Sequence, residues 1–219
     1  MKRATLALAL GAVLSVSAQA GTLLSEGFDD ISTLSPSWKF QSGLVINPNT
    51  WFQGNSGVFA SQAGALENSY IASNWLAQPV IGFIDNYLVT PTFSLASDVV
   101  LTFWARAELI DGFTDEFGVF LGTTVPDASE VATQVLADSV ALGEWTKYTV
   151  NVSGQGAGSV GRFAFNYFGS DQTLNYFGID TIDVSSVEAT VPEPSTTALF
   201  GIAMLGALLN RRRKTGAQS

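Results

Sequence analysis

The 219-residue chain contains no cysteine and no histidine. Without cysteine there is no disulfide, so an exported form must be held together by its core. Without histidine, the commonest general base, the commonest metal ligand and the side chain that titrates near neutral pH are all missing. Zinc centres of the ordinary kind and Ser-His-Asp or Cys-His catalysis are thereby excluded. Positive charge is also scarce, with ten Lys and Arg against nineteen Asp and Glu. No uninterrupted apolar run reaches the roughly 20 residues that cross a bilayer as a helix.

The few cations sit mostly at the two ends. Lys2 and Arg3 precede the apolar stretch Ala4 to Val16, and Ala18-Gln19-Ala20 follows as a small-x-small site. This is the layout of an export signal, so residues 1–20 are expected to form a signal helix that is removed, leaving Gly21 first. Arg211, Arg212, Arg213 and Lys214 close the chain behind a second apolar run, Ala198 to Leu209. Between 21 and 190 only Lys39, Arg106, Lys147 and Arg162 stand against eighteen acids, a net charge of −14. Such a surface repels phosphates and excludes nucleic acid as a partner, while it suits divalent cations. Whole-chain mean hydropathy, +0.26, is raised by the two apolar ends.

The C-terminal segment has its own order. Val191-Pro192-Glu193-Pro194 comes first, and its prolines prevent a strand from continuing. The apolar run follows as a short hydrophobic helix, and the terminal cations favour the cytoplasmic side of a membrane. Box, spacing and Arg cluster together resemble the PEP-CTERM sorting signal of Gram-negative bacteria. The resemblance implies recognition and cleavage by an exosortase, an inner-membrane stage in transit, and a final place at the cell surface or in the extracellular matrix. A plain C-terminal membrane anchor, retained as a transmembrane helix, is the alternative. The expected organisation is a signal peptide (1–20), one domain (21–190), the sorting signal (191–214) and a short tail (215–219).

The domain reads as β throughout. Val99 to Ala107 alternates most clearly, with Val99, Leu101, Phe103 and Ala105 on one face and Thr102, Trp104 and Arg106 on the other. Similar patterns cover 23–28, 38–40, 69–72, 86–89, 116–121, 145–152, 162–168 and 177–184, separated by Gly, Asn, Asp and Ser. Residues 43–57 read as a loop or irregular edge strand. Residues 126–142 read as a crossing between sheets with room for a helical turn, and 154–161 as a glycine-rich turn. Regular short strands without a long helical pattern predict an all-β, antiparallel two-sheet jelly-roll sandwich.

Several pieces then fall in a telling order: Glu26-Gly27-Phe28-Asp29-Asp30, Trp51-Phe52-Gln53-Gly54-Asn55, Tyr70-Ile71-Ala72, Tyr87-Leu88-Val89-Thr90-Pro91, Leu101 to Arg106, Trp145-Thr146-Lys147-Tyr148, and Phe177 to Ile182. In that order they resemble the choice-of-anchor J domain, akin to cleaved-adhesin and MAM-like jelly rolls. The resemblance covers nearly all of 22–187 and implies an exported, surface-attached sandwich. It implies no particular ligand or activity. Relatives often carry two adjacent acids where this chain has Asp180-Thr181.

Two sets of residues can carry chemistry. Glu26, Asp29 and Asp30 lie at the first strand, and Asp180 and Asp183 at the last, which a jelly roll brings together. Alternation from Ile182 and Val184 puts Asp180 on the apolar face, where a lone carboxylate is costly. A structural Ca²⁺ held by Glu26, Asp180 and Asp29 would satisfy it. Solvated acids, or Asp180 bonded to backbone N–H groups of the first strand, are the alternatives. The second set is Trp51, Phe52, Gln53 and Asn55, an aromatic platform with polar neighbours suited to a sugar face. Ordinary core packing is its alternative. The function expected from address and resemblance is an adhesive or polysaccharide-associated surface protein. A purely structural surface protein is the second reading, and a polysaccharide-acting enzyme, which needs only two carboxylates, a remote third.

Overall fold

The computed structural model describes residues 21–43, 45–46, 49–77, 82–123 and 132–187. The signal peptide, the sorting signal (Val191, Pro192, Glu193, Pro194 and Arg211 to Arg213 included) and the two expected terminal helices lie outside them. Among the described residues, no helix is long and apolar enough to cross a membrane.

Thirteen strands follow in chain order: β1 (Thr22–Glu26), β2 (Lys39–Ser42), β3 (Val45–Ile46), β4 (Phe52–Gln53), β5 (Ile71–Asn74), β6 (Phe83–Val89), β7 (Phe93–Ser94), β8 (Val99–Ala107), β9 (Glu116–Gly122), β10 (Thr133–Val140), β11 (Thr146–Val152), β12 (Val160–Ser170) and β13 (Tyr176–Ser186). A 3₁₀ turn, Ile31–Thr33, is capped by the Asp30 side chain, which accepts from Ser32 N–H. One sheet runs β11-β8-β13-β5-β4, with β1 also on β13. The other runs β10-β9-β12-β6-β2-β3, with β7 on β12. All the pairings are antiparallel. The jelly-roll expectation therefore holds for the described residues as a two-sheet sandwich.

β8 shows why the sheets face each other. Its alternate residues Val99, Leu101, Phe103, Ala105 and Ala107 are buried, and those between them are half-exposed. Phe103 meets Phe165 of the opposite sheet at 5.0 Å, edge to face. Phe117 stacks on Phe177 at 5.0 Å, and Tyr167 on Phe177 at 5.3 Å. These rungs tie β8 and β13 to β9 and β12, each contributing beyond its apolar area. A polar rung crosses too: Asn86 Nδ2 on β6 donates to Ser73 Oγ on β5 at 3.1 Å.

Two strands depart from the sequence reading. Residues 133–140, expected in a crossing, form the edge strand β10. Its pairing with β9 slips twice, and no residue in it is fully buried, so it lacks the alternation that marks a strand. β7 is only two residues long and presents no period at all.

Candidate functional site

The sequence places chemistry at two points, and the structure rearranges both. Trp51 is 1% exposed and packs edge-on against Phe177 at 6.2 Å. It is core, so of the platform expected of Trp51, Phe52, Gln53 and Asn55 the indole is not at the surface, while Phe52 and Gln53 are half-buried and Asn55 is exposed. Phe52 leans on Tyr176 at 5.9 Å. Gln53 is spent on backbone: its Nε2 donates to Phe28 O and Asn68 O, and its Oε1 accepts from Ile31 N–H. Asn55 starts a turn, its Oδ1 accepting from Gly57 N–H at 2.9 Å. The cause is the closure of β4 onto β5, Phe52 beside Ala72, which turns Trp51 inward.

Asp180 is fully buried, as expected, but on the other face of its strand. β13 carries an extra residue between Asp180 and Asp183, which pair with Trp104 and Thr102 of β8. Thr181 there has φ +49°, in the left-handed region. Such a bulge reverses the alternation. Asp180 therefore shares the outer face of the sheet with Trp104, while Ile182 and Val184 point into the core. Its partners are neither a cation nor the first strand. Oδ2 accepts from Gln62 N–H at 2.8 Å and Ala63 N–H at 3.1 Å, and Oδ1 from the Thr181 hydroxyl at 3.0 Å. Burial pushes its carboxyl above the usual range against these hydrogen bonds.

The first and last strands do meet, Glu26 pairing with Ile182. Glu26 and Asp29 are also aimed at N–H groups: Glu26 accepts from Phe28 N–H at 2.8 Å, and Asp29 from Ala65 N–H at 3.2 Å. Hydrogen bonds from Ser69 and Ala65 hold the Asp29 carboxyl below its ordinary range. Among the described residues, no group of three or more Asp and Glu is placed to hold a metal ion.

Asp180 and Asp29 together fasten residues 54–69 as a strap across the outer face of the β8–β13–β5 sheet. Other clamps add to them. Trp145 Nε1 donates to Ala60 O at 2.8 Å, and Asn55 N–H reaches the hydroxyls of Tyr70 and Tyr176 at 2.9 and 3.0 Å. Gly54 lets the strap lie flat, because a Cβ there would fall 2.3 Å from the Tyr70 ring. Beneath the strap is a second apolar cluster, separate from the core, built on Phe59, Tyr70, Ala72 and Tyr176. Phe59 stacks on Tyr70 at 5.0 Å and meets Trp145 and Tyr176 edge-on.

The Arg106 guanidinium lies over the Phe59 ring, 4.7 Å from its centroid. Its Nε is buried without a hydrogen-bond partner. Beside this pair opens a cleft of about 510 Å³ lined by Val58, Phe59 and Arg106 with Glu108, Leu109, Leu142 and Glu144. Glu108 is held in place by Asn175 Nδ2, which donates to its Oε2 at 2.7 Å. A fork of N–H donors thus stands beside two carboxylate acceptors above an apolar floor. Sequence reasoning put Arg106 on the outer face but did not connect it to Phe59, which is 47 residues away.

The Cleaved Adhesin Domain family matches residues 24–168, and the PEP-CTERM protein-sorting motif matches residues 190–214. Lys-gingipain W83 of Porphyromonas gingivalis is 27% identical over 183 residues, covering 76% of this chain. The matched stretch spans 10% of that relative's length. The crystal structure of the K1 cleaved adhesin domain of that Lys-gingipain superimposes with a TM-score of 0.59 at 26% identity, over 77% of this chain and all of that one. TmCBM61, solved in complex with β-1,4-galactotriose, shares the fold with a TM-score of 0.50 at 12% identity, over 74% of this chain and 94% of that one.

Proposed function

Because the chain belongs to the Cleaved Adhesin Domain family and ends in a PEP-CTERM sorting motif, we propose that it is an exosortase-processed surface adhesin whose sandwich binds extracellular polysaccharide in the Arg106 cleft. The motif supports export and sorting, and the family supports an adhesive role. The observation that carries the ligand class is the cleft itself. Its volume lies in the range of small-molecule sites. Hydroxyl-rich rings need donors and acceptors side by side over an apolar surface, and Arg106, Glu108, Glu144 and Val58 offer that combination. The fold shared with TmCBM61 agrees with such a use without naming a sugar for this chain.

A glycan array probed with the 21–187 sandwich tests the reading. Binding to at least one glycan is expected, and Arg106→Ala should weaken it about tenfold or more while the melting temperature stays within a few degrees. No binding across the array would leave a purely structural surface protein. Glycan cleavage on a polysaccharide panel would turn the reading towards an enzyme. Processing is checked separately: mass spectrometry of the surface form should find a C-terminus upstream of Arg211.

A further inference from the structure

Eight of the eleven large apolar side chains exposed among the described residues lie at one end of the sandwich. Among them are Trp75, Leu76, Phe83, Leu109, Phe113 and Leu142, with Leu109 85% and Leu76 64% exposed. They come from three connections, after β5, after β8 and after β10, and from the strand ends Phe83 and Val140, and the connection after β12 packs among them. Hydrogen bonds join these into one surface. Trp75 N–H donates to Asn175 O at 3.2 Å, Gly82 N–H to Asp171 Oδ2 at 2.9 Å and Thr114 N–H to Thr173 O at 2.7 Å. Ala107 N–H donates to Leu142 O at 2.8 Å. A soluble monomer rarely concentrates its exposed apolar groups in this way.

Acids outnumber cations at this end, where Arg106 and Lys147 stand on the adjoining strand ends. Glu108, Asp111, Glu144 and Asp171 stand among the apolar groups, and the described residues of the four connections include no Lys or Arg. Asp171 Oδ1 is buried without a donor. Both points where the chain leaves the sandwich lie at the opposite end: Gly21 N–H donates to Ser186 Oγ, and Val187 N–H to Asp98 O. The apolar end is therefore the one farthest from both chain exits.

We propose that this end is a docking surface for a protein partner whose own surface is apolar and ringed by Lys or Arg. Aliphatic anchors would enter between Leu76, Phe83 and Phe113, and cations would pair with the exposed acids around them. Nucleic acid and anionic lipid are repelled by the same acids. A sugar offers hydroxyls where this surface offers aliphatic groups. The surface adjoins the Arg106 cleft, which Leu109, Leu142, Glu108 and Glu144 also line, while Leu76, Phe83 and Asp171 lie outside that cleft and tell the two readings apart.

A synthetic amphipathic Leu/Lys peptide of about 20 residues is the probe, with a Leu/Glu peptide of the same pattern and phosphatidylcholine vesicles beside it. The sandwich should bind the Leu/Lys peptide and neither of the others. Binding should weaken with salt. The Leu76→Ser/Phe83→Ser pair should weaken it about tenfold or more. Leu66→Ser, an equally exposed leucine away from this end, should leave it unchanged. Equal loss in Leu66→Ser and in the pair would reduce the attraction to net charge and overturn the proposal. Vesicle binding that exceeds peptide binding would overturn it in favour of a membrane surface.

Discussion

Replacing Asp180 by Ala tests the link between the last strand and the strap. The side chain is buried and receives two backbone N–H groups and one hydroxyl. A hydrogen bond to a charged acceptor contributes roughly 1.5–3 kcal/mol. Three such bonds are offset in part by the desolvation that raises the carboxyl pKa. A net loss of about 3 kcal/mol is expected, because water reaches the freed N–H groups once the strap lifts. For a sandwich of this size, that loss lowers the melting temperature by about 6–12 °C. Asp180→Asn keeps one carbonyl oxygen and should lose about half as much. The local effect is more specific than the melt. Residues 60–67 should become the first site of limited proteolysis, and the Phe59–Arg106 stack should lose its support, weakening any glycan binding. A change of less than about 2 °C, with the strap still resistant to protease, would show that Asp180 does not hold it.

Other consequences are smaller in scope. Trp51→Ala should cost about 3–5 kcal/mol and appear as a stability defect rather than a binding defect, since the ring is core. Gly54→Ala should destabilise the strap by about 1–3 kcal/mol by driving a methyl into the Tyr70 ring, measurable in a urea melt. Burial raises the folded-state pKa of Asp115 and Asp180, so their contribution to stability is fully present below the ordinary carboxylate range and is lost as pH rises through their raised values. Stability should therefore increase on acidification from pH 7 to about 4.5, and Asp115→Asn should flatten that rise. Asp29 and Asp30, held low by hydrogen bonds, act in the opposite sense only at lower pH, where their support is lost. Since N–H donors already face Asp180, Asp29 and Glu26, a chelator should leave the melting temperature unchanged. A fall of several degrees would instead support the calcium expected from the sequence.

Much of the fold was legible because alternation survives wherever a strand is central and one face is buried. β8 is of this kind, and the burial of Leu101 and Phe103 follows directly from their spacing; in β12 Phe163 and Phe165 also alternate, although Ala164 and Asn166 between and beside them are buried as well. β10 was not legible, because an edge strand with two slips has no face that must be apolar. The site was less legible than the fold. Trp51 looks the same in sequence whether its ring lies on the surface or in the core. The pairing of β4 with β5 decided which. Asp180 was read correctly as buried and incorrectly as core-facing, because a one-residue bulge reverses the face and leaves no mark beyond a β-branched residue at position 181.

The sequence by itself determined the address and the material. The absence of Cys and His, the acidic domain between two cationic ends, the PEP-CTERM motif and the strand pattern are local or compositional properties that need no long-range contact. Only the tertiary structure decided which distant residues meet. The cleft unites Phe59, Arg106 and Glu144 from distant parts of the chain, and the apolar end unites three connections and two strand ends. Antiparallel pairing creates both surfaces by bringing together segments whose separation along the chain says nothing of their distance in space.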